Sequence, residues 1–257
     1  MNIEYIKKII CLDGKRAIVT GGSQGIGLGI AKSLANFGAE VTILARNEKY
    51  LIPAEKELQE INPTARAKRV DISKQSDVDA FFDEYFKEGG IDIFVNNAGI
   101  SVFKDVCDTN EEEMDRLYAT NVKGCVFCVN RAVEKMKENG GGNVVIITSV
   151  NAINPLPPQG VYSGTKSMLE GIMRCYAADL TKYGIRVNTL APGAIKSNLS
   201  PDFTPEQQAE TAKMIPMKRI GEPNDIGDVV ACMVSDSFRY MSGSTVLVDG
   251  GLNLRLG

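Results

Sequence analysis

A chain of 257 residues, 44% hydrophobic and 24% charged, is long enough for one large core and has ordinary globular composition. Its 29 basic and 32 acidic side chains leave a net charge of -3, which offers no field to gather nucleic acid or an anionic membrane, so neither is an expected partner. Histidine is absent, which excludes a Ser-His-Asp or Cys-His nucleophile and any histidine-bearing metal site; proton transfer near neutral pH falls to a perturbed Tyr, Lys, Cys or carboxylate.

Residues 1–14 read as an N-terminal extension. Glu4, Lys7 and Lys8 interrupt its apolar residues, leaving no signal-peptide core, and no later stretch reaches the roughly 18 apolar residues of a membrane span. A cytoplasmic protein is expected. Residues 15–257 then alternate between two patterns: strand 16–20, helix 26–37, strand 41–45, helix 49–61, strand 67–70, helix 75–88, strand 91–95, helix 111–139, strand 143–148, helix 160–183, strand 185–190, helices 205–214 and 223–234, and strand 245–248. Gly38, Gly140 and Gly184 stand as helix stops. Most strand runs are continuously apolar, as strands buried on both faces of a parallel sheet are, and the helical stretches suit crossovers. The expectation is an α/β chain forming a single-domain doubly wound Rossmann fold, with about seven parallel strands and helices on both faces. Six scattered cysteines read as reduced thiols. Cys125 and Cys128 have the spacing of a redox or zinc pair, but lie in a helical stretch with no second pair, so they read as helix packing and no metal site is expected.

Thr20-Gly21-Gly22-Ser23-Gln24-Gly25-Ile26-Gly27 follows the first strand and opens a helix. Glycines there let the backbone bend tightly and a diphosphate approach without a Cβ in the way, while the helix start offers N–H groups and a positive dipole end. The turn reads as dinucleotide-binding. The second strand ends Leu44-Ala45-Arg46-Asn47, with no carboxylate to accept a bond from the 2′-hydroxyl of NAD and a guanidinium placed to grip a 2′-phosphate, so NADP(H) is favoured over NAD(H).

Ser149 follows the fifth strand, and Tyr162-Ser163-Gly164-Thr165-Lys166 opens the next helix. Tyr162 and Lys166, four apart, share a helical face. An ammonium near a phenol stabilises phenolate and lowers the tyrosine pKa, making Tyr162 a candidate general acid/base.

Together these motifs resemble the short-chain dehydrogenase/reductase family over nearly the whole chain. The likeness rests on Thr20 to Gly27, Asp71, Asn96-Asn97-Ala98-Gly99, Asn121, Ser149, Tyr162, Lys166, Pro192-Gly193 and Val248-Asp249-Gly250-Gly251. The resemblance implies that Ser149 holds the substrate oxygen, Tyr162 moves the proton as hydride passes to or from the nicotinamide, and Lys166 bonds the nicotinamide ribose and depresses the Tyr162 pKa. It implies that Asn121 holds a water linking Lys166 to solvent. Asp71 and Ile72 are expected at adenine; Asn97, Ala98 and Gly99 at the adenosine ribose; Pro192, Gly193, Ile195 and Ser197 at the nicotinamide. Ser197 stands where the family usually has threonine, and keeps the hydroxyl.

Substrate is expected at the carboxyl ends of the strands, against residues 101–103, 151–159 and 194–217, the last as a lid. The proline-stiffened loop 153–159 suggests a partly hydrophobic substrate. The expected function is hydride transfer between NADP(H) and a secondary alcohol or ketone of polyol, sugar or hydroxysteroid type. One alternative is a 3-oxoacyl-carrier-protein reductase, whose basic entrance positions align with Cys128 and Tyr183 here, although Arg131 and Lys182 are close by. Another is a non-catalytic NADP-sensing protein. Relatives pair through the helices that carry Asn121 and Tyr162, and the resemblance implies a homotetramer.

Overall fold

The computed structural model describes residues 2–196 and 204–254. Seven strands form one parallel sheet in the order β3-β2-β1-β4-β5-β6-β7, where β1 is Arg16–Thr20, β2 Glu40–Ala45, β3 Arg66–Arg69, β4 Ile93–Asn96, β5 Gly142–Ile147, β6 Ile185–Pro192 and β7 Thr245–Val248. Successive residues face opposite sides. Ala17 and Val19 enter one core with α2 (Gly25–Asn36), α3 (Glu48–Ile61) and α9 (Pro223–Val234). Ile18 enters the other, with α4 (Gln75–Tyr85), α6 (Gly124–Glu138) and α7 (Gly160–Leu180). Cys125 and Cys128 are fully buried in that second core as free thiols, in keeping with helix packing.

The chain winds outward from β1 through β2 to β3, then returns to place β4 on the other side of β1. Ligands of open parallel sheets occupy the crevice at such a reversal, outside the carboxyl ends of the strands. Here Thr20 and Asn96 sit side by side in register, and the residues after each form the crevice walls.

Three features depart from the expected pattern. Residues 3–10, expected as extension only, form a helix, α1 (Ile3–Ile10), capped by the Asn2 side chain and burying none of its residues. β3 is a largely exposed edge strand reading Arg-Ala-Lys-Arg, whose charges suit an unpaired margin. The helix expected over 111–139 is α5 (Glu111–Leu117), a π-helical turn over Tyr118–Lys123 and α6, and Gly124 N–H reaches back five residues to the Ala119 carbonyl. α8 (Pro205–Met214) and α9 have their expected bounds, each with proline in the first turn and a capping box, from Thr204 with Gln207 and from Glu222 with Asp225. No helix among the described residues is long and apolar enough to cross a membrane.

Candidate functional site

The glycine turn is built into the crevice by its neighbours. Asn97 Nδ2 donates to the carbonyls of Thr20 and Gly21 at 3.1 and 3.2 Å, and the N–H groups of Asn97 and Ala98 donate to Thr20 Oγ1. Gly21 adopts φ +66, and a Cβ there would come within 2.9 Å of Ala98 Cα. A Cβ on Gly27 would lie 2.1 Å from the Gly21 carbonyl oxygen. The helix therefore abuts the turn backbone, and its first-turn amides receive no capping bond from the Gln24 side chain. Gly21, Ser23, Gln24, Gly25, Ile26 and Gly27 line one continuous cleft with Arg46, Asn47, Ile72, Asn97, Ala98 and Gly99. A cradle of backbone with no room for Cβ atoms fits a diphosphate. Tyr50, Val70, Ile100 and Thr120, which the motifs do not flag, share its walls.

At the far end a shallower depression is framed by Arg46, Asn47, Glu48, Arg69 and Asp71. Asn47 caps α3, accepting from Lys49 N–H at 3.0 Å. Arg69, paired with Ala45 in the β2–β3 register, donates from Nε to the Arg46 carbonyl at 3.3 Å. Both arginines are exposed and neither has a carboxylate partner among the described residues. Arg46 is legible in the sequence, and the β2–β3 register adds Arg69 as a second cation. Asp71 Oδ1 accepts from the Ser73 N–H and hydroxyl, leaving Oδ2 for another donor.

The candidate acid/base residues meet where β5 ends against α7. Ser149 Oγ accepts from Asn151 N–H at 3.1 Å and stands beside the Tyr162 side chain. Lys166 is buried; its Nζ donates to the Ile147 carbonyl at 2.9 Å and lies 5.8 Å from the centre of the Tyr162 ring. A Cβ on Gly99 would be 3.3 Å from both Lys166 Nζ and Asn121 Oδ1, so the ammonium stands behind the cleft wall. Burial brings Lys166 down from 10.5 to about 8.

The structure defines the surroundings of Tyr162 and Asn121. Burial holds Tyr162 above its ordinary 10, outweighing the lowering effect of the neighbouring Ser149, and the Lys166 ammonium bonds a backbone carbonyl. Asn121, on the π-helical turn, spends its side chain on protein: Oδ1 accepts from Ile100 N–H at 2.8 Å, and Nδ2 donates to the Ile100 carbonyl and Thr165 Oγ1. It stitches the loop after β4 to α7, and only one acceptor position of Oδ1 is left for a water.

On the side where substrate is expected, Gln159 joins the two loops. Its Nε2 donates to Ser101 Oγ at 2.8 Å, its Oε1 accepts from Asn151 Nδ2 at 3.0 Å, and its backbone bridges to Lys104. Phe103, Val106, Ile153 and Leu156 are exposed on the same loops, giving a polar floor with an apolar rim. Gly193 N–H donates to the Val248 carbonyl, holding the Pro192-Gly193 turn to β7, and Ile195 bridges to Gly221 and packs on the first core. Of the expected lid, α8 buries none of its residues; Ser197 and residues 198–203 lie outside the described residues.

A family model described as "Enoyl-(Acyl carrier protein) reductase" matches residues 21–253. Glucose 1-dehydrogenase of Gluconobacter oxydans is 36% identical over 249 residues, covering 94% of this chain and 92% of that protein. 3β-Hydroxysteroid dehydrogenase 1 of Eggerthella lenta is 34% identical over 248 residues, covering 95% of each. Among solved structures, L-sorbose reductase of Gluconobacter frateurii, complexed with NADPH and L-sorbose, superposes with TM-score 0.90 and 29% identity over 96% of this chain and 99% of that one.

Proposed function

The chain belongs to the short-chain dehydrogenase/reductase family, and from that premise we propose that it is an NADP(H)-dependent oxidoreductase acting on a secondary alcohol or ketone. The observation that carries the reading is the placing of Ser149 and Tyr162 together beside buried Lys166 at the wall of the glycine-turn cleft. The cleft would hold the diphosphate on Gly21 to Gly27, adenine near Asp71 and Ile72, and the 2′-phosphate between Arg46 and Arg69. When bound, the nicotinamide supplies or receives the hydride. Ser149 holds the substrate oxygen, and Tyr162 gives that oxygen a proton in reduction or takes one in oxidation. Lys166 bonds the nicotinamide ribose, and the water of its proton path rests on Asn121.

Relatives that act on glucose, sorbose and hydroxysteroids support an alcohol/ketone of sugar, polyol or steroid type. The polar Ser101-Gln159-Asn151 floor suits hydroxyls, and the exposed apolar rim suits a carbon skeleton. An acyl-carrier substrate is less well served: Arg131 is neutralised by Asp79, Asp83 and Glu134, and Cys128 is buried away from any entrance. A cytoplasmic homotetramer assembling through the outer faces of α5 to α7 belongs to the same reading, supported by the exposed Met114, Tyr118 and Met168 there.

The test is absorbance at 340 nm with NADPH or NADH against keto-sugars, ketosteroids and acetoacetyl thioesters, with Tyr162→Phe alongside. Turnover of one class with NADPH, lost in the variant, is expected. Cofactor binding without turnover of any class would favour the non-catalytic sensor.

A further inference from the structure

The foot of the site holds a buried carboxyl group that the chemistry above does not use. Glu170, one turn beyond Lys166 on α7, has no ion-pair partner among the described residues. Three threonine hydroxyls converge on it: Thr148 Oγ1 on Oε1 at 2.7 Å, and Thr189 and Thr245 Oγ1 on Oε2 at 3.0 and 2.6 Å. An unpaired carboxyl costs free energy to bury, whereas a leucine at this helix position would pack without that cost, so core filling does not account for it.

Its placement supplies an account. Tyr162, Lys166 and Glu170 recur every four residues on one face of α7 and engage three successive residues at the end of β5: Ser149, the Ile147 carbonyl and Thr148. The other two threonines lie on β6 and β7. Thr189 stands three residues before the Pro192-Gly193 turn, and Thr245 three before Val248, whose carbonyl holds that turn. One side chain thus ties together the strands from which both the Ser149 loop and the 193–196 loop depart.

We infer that Glu170 is a positioning residue that sets the Ser149 hydroxyl against Tyr162 through its bond to Thr148, and registers the β6 turn against the same strand through Thr189 and Thr245. For its kinetic consequence the inference rests on the proposed oxidoreductase activity. For its structural consequence it does not.

Glu170→Gln and Thr148→Val keep the volume of the site while altering the bond. Each is expected to lower kcat about 10- to 100-fold with KM for NADPH within about twofold, the signature of a displaced reacting group with an intact cofactor cleft. The double variant is expected to be no worse than the poorer single, because both break one link. Hydrogen exchange of the Asn151 amide, bonded to Ser149 Oγ, is expected to quicken in both variants while α4 amides stay protected. Unchanged kcat with only a lower melting temperature, or unchanged exchange at Asn151, would overturn the inference. If the unaltered protein turns over no substrate, the functional reading fails and the exchange experiment alone decides this one.

Discussion

Lys166 Nζ lies 5.8 Å from the centre of the Tyr162 ring while its hydrogen bond goes to the Ile147 carbonyl at 2.9 Å. Burial lowers this ammonium from 10.5 to about 8. Between those values the unfolded chain binds a proton that the folded chain does not, so stability rises with pH across that window. The penalty is fully present below about pH 8 and gone above 10.5. Lys166→Met removes the group, and its stability relative to the parent is expected to be about 3 kcal/mol more favourable at pH 7 than at pH 10.5. Other buried thiols and phenols titrate in both proteins and cancel in the difference. Urea unfolding at the two pH values measures it, and a difference that does not vary with pH sinks the prediction.

The parts of the site legible in the sequence are those whose chemistry is local in the chain. Thr20 to Gly27, Tyr162 with Lys166, and the proline-started helices α8 and α9 each carry their own geometry in a few consecutive residues. Arg69 escaped because only the β2–β3 register brings it to Arg46. Glu170 escaped because a carboxylate on a helix ordinarily means a solvated face; the four-residue steps from Tyr162 were its one available signal. The π-helical turn at Asn121 adds a single residue to a turn, which hydrophobic periodicity does not register. α1 has a capping asparagine and spaced isoleucines, but these are hard to tell from an irregular extension when none of its residues is buried.

Arg46 and Arg69 frame the end of the cleft proposed for the adenosine as two exposed guanidinium groups. A hydrogen bond to a charged group contributes about 1.5 to 3 kcal/mol, so Arg46→Ala and Arg69→Ala are each expected to lower kcat/KM for NADPH about 10-fold or more, with NADH little affected. Both effects should shrink at high salt. Steady-state comparison of the two cofactors checks this; an NADPH/NADH ratio unmoved by either substitution would remove the 2′-phosphate from this depression.

Gly27 offers a purely steric test of the cleft. A Cβ there would stand 2.1 Å from the Gly21 carbonyl oxygen, and backbone cannot move aside as a flexible side chain does. Gly27→Ala is expected to weaken NADPH binding at least about 10-fold by pushing α2 off the turn, because small displacements of a positioning element are costly. Fluorescence titration with NADPH reads the affinity, and a variant that binds like the parent would place the nucleotide elsewhere.

Tyr162 sits above its ordinary 10 because burial outweighs the lowering effect of the neighbouring Ser149. In the proposed reaction ketone reduction uses the phenol, which is the dominant form throughout the neutral range. Alcohol oxidation uses the phenolate, whose fraction grows roughly tenfold per pH unit below the pKa. Oxidation is therefore expected to accelerate steadily from pH 7 to pH 9 while reduction stays level or declines. Initial rates in both directions test the assignment, and an oxidation optimum at or below pH 7 is incompatible with Tyr162 as the base.

Thiol labelling separates burial from assembly. Cys11, Cys107 and Cys175 are exposed, Cys232 is intermediate, and Cys125 and Cys128 lie in the core. Burial pushes Cys125 up to about 12 and raises Cys128 as well, so neither supplies thiolate near neutral pH. A disulfide reagent at pH 8 is expected to modify Cys11 and Cys107 at once, and Cys125 and Cys128 only after denaturation. Cys175, on the outer face of α7, reports on the proposed assembly. If chains pair through that face, Cys175 reacts slowly when concentrated and quickly on dilution. A rapidly labelled Cys175 at every concentration, together with a single-chain mass in solution, would rule out assembly through α7. A Cys125 or Cys128 that reacts as fast as Cys11 would mean that α6 opens from the sheet far more readily than its packing implies.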